Sequence, residues 1–319
     1  MSTQISELDT PSSRLDALPA QGVWAPAVTP VNADLSVDVP RWLKHLQWLL
    51  DSGCHGLALF GTTSEANSFS PHERMEMLEA AASAGFDVNQ MMIGTGCCSI
   101  PETVQLTRHA ANLGAKKVLM LPPYYYKSIS DQGLFDHYSR VIDAVADADL
   151  KVFLYHFPKM SAVPISVELM TRLYDAYPNN VAGVKDSTGD WQSTLAFLQA
   201  FPNLAVFPGT ESLLRDGLRN GGAGCITATA NANPRSIRNV FDAWCTSSAD
   251  IDTRHDDMHA TRTIFNQHPA VPALKFVLAR HHDQDSWRHV RPPMVELGET
   301  QGEQLLKQLD EQGFQCPAG

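Results

Sequence analysis

Short apolar runs alternate with longer amphipathic stretches from about residue 22 onward. The runs are Val23–Val28, Gly56–Phe60, Met91–Gly94, Lys117–Leu121, Val152–Tyr155, Val181–Val184, Leu204–Phe207 and Gly224–Ile226, eight in all. Each is too short for a typical helix and is bounded by glycine, proline or polar residues, so each predicts a strand. The stretches between them predict helices. One opens Ser70-Pro71-His72-Glu73, where Ser70 can cap, Pro71 suits the first turn and Glu73 can close a capping box. A second, Ser99-Ile100-Pro101-Glu102, repeats the spacing of serine and glutamate. Strands alternating with helices imply a parallel sheet. With eight strands and no ninth, the economical arrangement is an α/β fold closed as a (β/α)₈ TIM barrel. The barrel is expected over residues 21–246. Residues 247–319 contain no clear strand and predict a C-terminal helical extension packed on the barrel. The polar residues 1–20 predict a loose N-terminal arm.

Composition narrows the function classes. The chain has 319 residues, 44% hydrophobic and 18% charged, with a formal net charge of -11. That balance argues against nucleic-acid binding, which needs a basic face to displace counterions. No apolar run reaches the ~18 residues of a membrane span, and residues 1–20 lack the pattern of a signal peptide. None of the six cysteines forms a CxxC pair, so they suggest no zinc ribbon or dithiol redox centre and suit a reducing cytoplasm.

Chemistry in such barrels gathers at the C-terminal ends of the strands, and four of those ends are unusual. Val181-Ala182-Gly183-Val184 runs directly into Lys185. A lysine among apolar walls loses hydration of its ammonium form, and the neutral amine is a nucleophile toward carbonyls. On an outer surface the same pattern would be an ordinary strand-end lysine. One strand earlier, Leu154-Tyr155-His156-Phe157-Pro158 would set Tyr155 beside Lys185. A phenol there can relay protons, or simply pack the barrel top. His156 alternates with Tyr155 and is expected to face outward. Gly61-Thr62-Thr63-Ser64-Glu65 offers amides and hydroxyls suited to a carboxylate, or else an ordinary capped turn. Pro122-Pro123-Tyr124-Tyr125-Tyr126 exposes aromatic surface of the kind used at interfaces.

Two other motifs invite chemistry and fail. His255 and His259 stand four apart on an expected helix, but Asp256 occupies the place of a zinc protease's glutamate, so a solvated helix face is expected. Gly94-Thr95-Gly96 lacks the third glycine and the following acid of a dinucleotide fingerprint.

Taken in order over residues 22–244, these segments resemble the dihydrodipicolinate synthase / N-acetylneuraminate lyase family. The markers are G-T-T-x-E at Gly61–Glu65, the tyrosine loop, Y-x-x-P at Tyr155–Pro158 and G-x-K-D at Gly183–Asp186, with Gly209-Thr210-Glu211 and Gly221–Ile226 fitting later loops. The resemblance implies a class I, pyruvate-type aldolase or lyase. Lys185 is then the Schiff-base lysine and Tyr155 the relay tyrosine. Thr62 and Thr63 hold the carboxylate, with Thr62 also in the relay. Tyr125 is contributed across a subunit interface, and Gly209 and Ile226 line the pocket. It further implies a 2-oxo acid and an aldehyde as small-molecule partners, a homotetramer built from dimers, and neither metal nor cofactor. Met160 stands in the substrate-binding position where dihydrodipicolinate synthases carry an arginine, and a methionine cannot make a bidentate carboxylate contact. His156 and Ser64 also depart from the family pattern, which points to a specialised pocket. The alternatives left open are 4-hydroxy-tetrahydrodipicolinate synthase, a keto-deoxy sugar acid dehydratase, and a catalytically silent barrel that only binds.

Overall fold

A computed structural model of the chain describes residues 11–317. The strands are β1 (Gly22–Ala25), β2 (Gly56–Leu59), β3 (Met91–Gly94), β4 (Lys117–Met120), β5 (Lys151–His156), β6 (Val181–Asp186), β7 (Ala205–Pro208) and β8 (Gly224–Ile226). They form one parallel sheet in the order β7-β6-β5-β4-β3-β2-β1-β8. The seam between β7 and β8 is bridged by the Ala223 N–H donating to Val206 O at 3.0 Å. This is the expected (β/α)₈ barrel. The helices are α1 (Pro11–Asp16), α2 (Val39–Asp51), α3 (Pro71–Ser83), α4 (Ile100–Asn112), α5 (Asp131–Val145), α6 (Pro158–Ser161), α7 (Val167–Ala176), α8 (Trp191–Ala200), α9 (Leu214–Arg219) and α10 (Pro234–Cys245), followed by α11 (Ile251–Phe265), α12 (Ala270–His282) and α13 (Glu299–Glu311). Local chemistry starts them where the sequence indicated. At α3 the Ser70 hydroxyl accepts from Glu73 N and the Glu73 carboxylate accepts from Ser70 N, a complete capping box. At α4 Ser99 caps Glu102 N, but its hydroxyl rather than its backbone meets the Glu102 carboxylate.

Alternation along the strands sorts the core into two layers. Leu57, Leu59, Val118, Val152, Leu154, Val184 and Val206 face the surrounding helices. Trp24, Ala58, Met92, Leu119, Phe153, Tyr155, Phe207 and Ile226 fill the barrel interior. Residues 1–10 of the expected loose arm lie outside the described residues. The part from residue 14 is packed rather than loose. Leu15 and Ala20 are buried, Ala20 in the interior cluster just ahead of β1, and Arg14 donates to Pro202 O at 3.0 Å. Apolar side chains next to the barrel floor gain by covering it.

After α10, helices α11–α13 carry a second apolar core that includes Phe265, Leu274, Phe276, Leu278, Trp287 and Leu305. Val28 and Ala232, on the loops that follow β1 and β8, belong to the same core. The C-terminal helices therefore press on loops at the mouth of the barrel, not on a remote side.

Candidate active site

Lys185 and Tyr155 are register partners on β6 and β5. Partners on parallel strands point to the same side of the sheet, and here that side is the interior. Phe207, the next partner along, belongs to the interior cluster with Tyr155. Lys185 is 4% exposed, and its Nζ lies 4.4 Å from the centroid of the Tyr155 ring. Among the described residues, no carboxylate comes within salt-bridge distance of it. The following pair, His156 and Asp186, points outward. His156 Nδ1 accepts the Ile165 N–H at 2.9 Å, and burial pushes its pKa down while the charge of Asp186 opposes the shift. Asp186 in turn accepts from Thr194 Oγ1 at 2.7 Å and from Thr188 N at 3.0 Å. Neither residue reaches the mouth, so His156 faces outward as its alternation with Tyr155 indicated.

The loop after β2 brings the third group. Phe60 and Glu65, both with positive φ (58° and 59°), bracket the segment and fold it over the mouth. Thr62 Oγ1 lies 3.3 Å from Tyr155 OH, a long contact of the kind that tightens when a ligand binds. Thr63 is buried beside it in sequence, and the space above Gly61 is open. Gly209 N donates to Asp186 O at 2.6 Å, and a Cβ at Gly209 would stand 2.1 Å from Ser187 Oγ, so only glycine lets the β6 and β7 loops meet. Ile226 is fully buried in the interior cluster.

Two candidate residues are left at the surface. Tyr125 is 73% exposed and touches Tyr126 edge to face, whereas Tyr124 turns inward and donates to Asn67 at 3.2 Å. Met160, on the single turn of α6, is 65% exposed, so within one chain its side chain covers no closed pocket.

The site has supports that the sequence did not announce. Glu65 is buried and ion-paired with Lys275 of α12, and it also accepts from Arg291 N at 2.9 Å. Lys275 also donates to His289 O at 2.8 Å. Glu211, after β7, is buried among the hydroxyls of Thr227 and Thr229 and the Arg262 guanidinium of α11, whose Nη1 lies 2.9 Å away. Two mouth loops are thus tied to the C-terminal helices by buried charge. The only signal for Lys275 was a single lysine inside the apolar run Val271–Leu278. His255 also differs from expectation. Only His259 is on a solvated face: His255 is buried with Nε2 3.1 Å from Ser212 O, while His259 is exposed with Nδ1 3.0 Å from Ser212 Oγ. Gly94 and Gly96 are explained by packing, since a Cβ at either would strike the backbone of Phe60 or Leu121.

An eight-stranded parallel barrel with a lysine and a tyrosine side by side at its mouth is the architecture of the lyase and aldolase barrels. The chain belongs to the dihydrodipicolinate synthetase family, whose sequence profile matches residues 19–312. That match runs through the C-terminal helices, beyond the 22–244 that carry the motifs. A DapA-like lyase of Chloroflexus aurantiacus is 33% identical over 81% of this chain and 86% of its own. The dihydrodipicolinate synthase of Agrobacterium tumefaciens superposes with a TM-score of 0.84 at 31% identity, over 91% of this chain and 98% of its own. YagE of E. coli K12, a prophage protein of the same family solved in complex with pyruvate, superposes with a TM-score of 0.82 at 26% identity, over 92% and 98%. The chain is an enzyme of the lyase class, of the pyruvate-dependent aldolase kind. Among the described residues no helix is long and apolar enough to cross a membrane.

Proposed function

We propose that Lys185 forms a Schiff base with pyruvate or a related 2-oxo acid, and that the chain makes or breaks the carbon–carbon bond next to the resulting enamine. The observation that carries this reading is the pairing of Lys185 with Tyr155 inside the barrel, with Thr62 in reach of the phenol. The pyruvate complex of YagE supports the substrate class. In the proposed sequence the neutral amine of Lys185 adds to the 2-oxo carbon, and Tyr155 shuttles the protons that let hydroxide leave as water. The protonated imine then accepts the electron pair released when C3 loses a proton or a carbon substituent. In the synthetic direction the enamine attacks an aldehyde, and water hydrolyses the imine to free Lys185. Thr63, with the loop amides and Thr62, holds the carboxylate. Gly209 and Ile226 wall the pocket. The exposed Tyr125 serves a neighbouring copy's site in a homotetramer, which sedimentation would test, and the enzyme works in the cytoplasm.

Met160 supports an aldehyde other than aspartate semialdehyde, because no guanidinium stands there to grip a second carboxylate. The test is incubation with pyruvate, borohydride reduction and mass mapping. The adduct should fall on Lys185, while the equally buried Lys275 stays unlabelled. An adduct elsewhere, or none, overturns the reading. An aldehyde panel that includes aspartate semialdehyde then identifies the partner by its product.

A further inference from the structure

The loop proposed to hold the substrate carboxylate is itself held from behind. Ala66 N donates to Gly61 O at 3.2 Å and Glu65 N donates to Thr62 O at 3.1 Å. The places of Thr62 and Thr63 therefore follow from where residues 65 and 66 sit. Glu65 stands in the left-handed region, with φ 59°, which a non-glycine residue keeps only when its surroundings enforce it. The 3₁₀ turn Ala66–Ser68 then leads through Phe69 to the capped start of α3.

One residue of the C-terminal extension meets this run at four places. Arg291 lies between α12 and α13, and its backbone N–H donates to the Glu65 carboxylate at 2.9 Å. Its Nη1 donates to Ser68 O at 2.8 Å, and the guanidinium carbon lies 3.9 Å from the centroid of the Phe69 ring. Its Nη2 donates to Glu73 Oε1, in the first turn of α3, at 2.6 Å. Nε and Nη2 also donate to Leu35 O, in the loop between β1 and α2, at 2.9 and 2.7 Å. All three guanidinium nitrogens are thus spent on the protein, and the planar fork fixes their directions together. The hydrogen bond from Arg291 leads the causes that pull the Glu73 carboxyl down to about 2, so this charge pair is formed at neutral pH.

We infer that Arg291 is a positioning residue for the reaction. It clamps the 65–69 run so that Thr63 meets the substrate carboxylate and Thr62 stays in reach of Tyr155 OH. The inference rests on the roles proposed above for Lys185, Thr62 and Thr63. The Thr62–Tyr155 contact is already long at 3.3 Å, so a small drift of the loop breaks it.

Two measurements on the full chain test this, each made well below the variant's melting transition. Borohydride trapping of Lys185 at graded pyruvate concentrations reads the site, and deuterium exchange of residues 61–69 reads the loop without substrate. In Arg291→Met the trapping rate divided by the half-saturating pyruvate concentration should fall on the order of 10²-fold, shared between weaker half-saturation and a slower rate at saturation. Exchange across 61–69 should quicken while that of β5 stays level. Arg280→Met removes a surface ion pair with Glu303 from the same extension and should change neither quantity. Thr63→Val supplies a readout that a merely structural role would not move. If Arg291 acts through Thr63, Arg291→Met should raise the half-saturating concentration much less in the Thr63→Val background than in the wild-type chain. If Arg291→Met does not fold, Arg291→Lys keeps a cation for Glu73 but cannot serve Leu35, Ser68 and Glu73 at once, and the same comparisons apply. The inference is overturned by unchanged exchange across 61–69, by unchanged half-saturation, by the full effect persisting in the Thr63→Val background, or by an equal effect from Arg280→Met. Failure to trap an imine at Lys185 in the wild-type chain would instead sink the proposed chemistry, and the exchange comparison alone would then decide for or against the clamp.

Discussion

Lys185 in the barrel and Lys275 in α12 are both buried, and both follow apolar residues in the sequence. Lys275 sits against Glu65 and a backbone carbonyl; burial lowers its pKa while the charge of Glu65 works the other way. Among the described residues Lys185 has no carboxylate within salt-bridge distance, and its Nζ lies over the Tyr155 ring. A buried ammonium locked to a carboxylate is a strut, because its proton and its hydrogen bonds are committed. A buried amine without such a partner has a nitrogen not committed to a carboxylate, and that nitrogen can serve as the nucleophile toward a carbonyl. The same residue type thus anchors one region and reacts in the other, and the difference lies in what each packs against.

Substitution at both lysines should separate the roles cleanly. Lys185→Met should cut turnover on the order of 10⁴–10⁶-fold, the scale of losing a covalent nucleophile, with little change in melting temperature. A large fall in melting temperature with residual turnover would make Lys185 a strut as well. Within the mouth, Tyr155→Phe should lower kcat about 10²–10⁴-fold, whereas Thr63→Val should chiefly raise KM. Near-normal kcat in Tyr155→Phe, with the imine still trapped, would move the relay elsewhere.

Lys275→Met strands the Glu65 carboxylate and should destabilise the fold by about 3–5 kcal/mol, visible in denaturant midpoints. Adding Glu65→Leu should restore much of that loss. If the double variant is no better than the single one, the pair is not the source of the effect. An effect of size similar to the loss of Lys275 is expected in the acid sensitivity of the α2 and C-terminal side. Burial holds His45, His55 and His282 at about 4, below the ordinary 6.5. The folded chain keeps them neutral while the unfolded chain binds protons below pH 6.5. Stability should therefore be complete above pH 6.5 and fall as pH drops toward 4, with fully buried His45 contributing about 3 kcal/mol and the other two less. Urea midpoints that stay level across that window would contradict this.

Much of the architecture was legible before any coordinates. The eight runs became strands, and Ser70 and Ser99 capped their helices, because strand alternation and capping depend on a few neighbouring residues. The nearness of Tyr155 to Lys185 followed from strand order. What local sequence could not decide is the direction of Lys185. Strict alternation from Val181, which faces the helices, would send Lys185 outward too. A register shift at Val152/Phe153 skips Ala182, so Gly183 pairs with Phe153 and Lys185 with Tyr155. A Cβ at Gly183 would lie 2.0 Å from Ala205 O, so the irregularity needs glycine there and the neighbouring strand to shape it. Likewise Glu65 and Lys275 are 210 residues apart, and Glu211 and Arg262 are 51 apart. No short-range rule pairs them. Which charges are matched, and hence which lysine stays free, is set only when the C-terminal helices close on the mouth loops and exclude water from both.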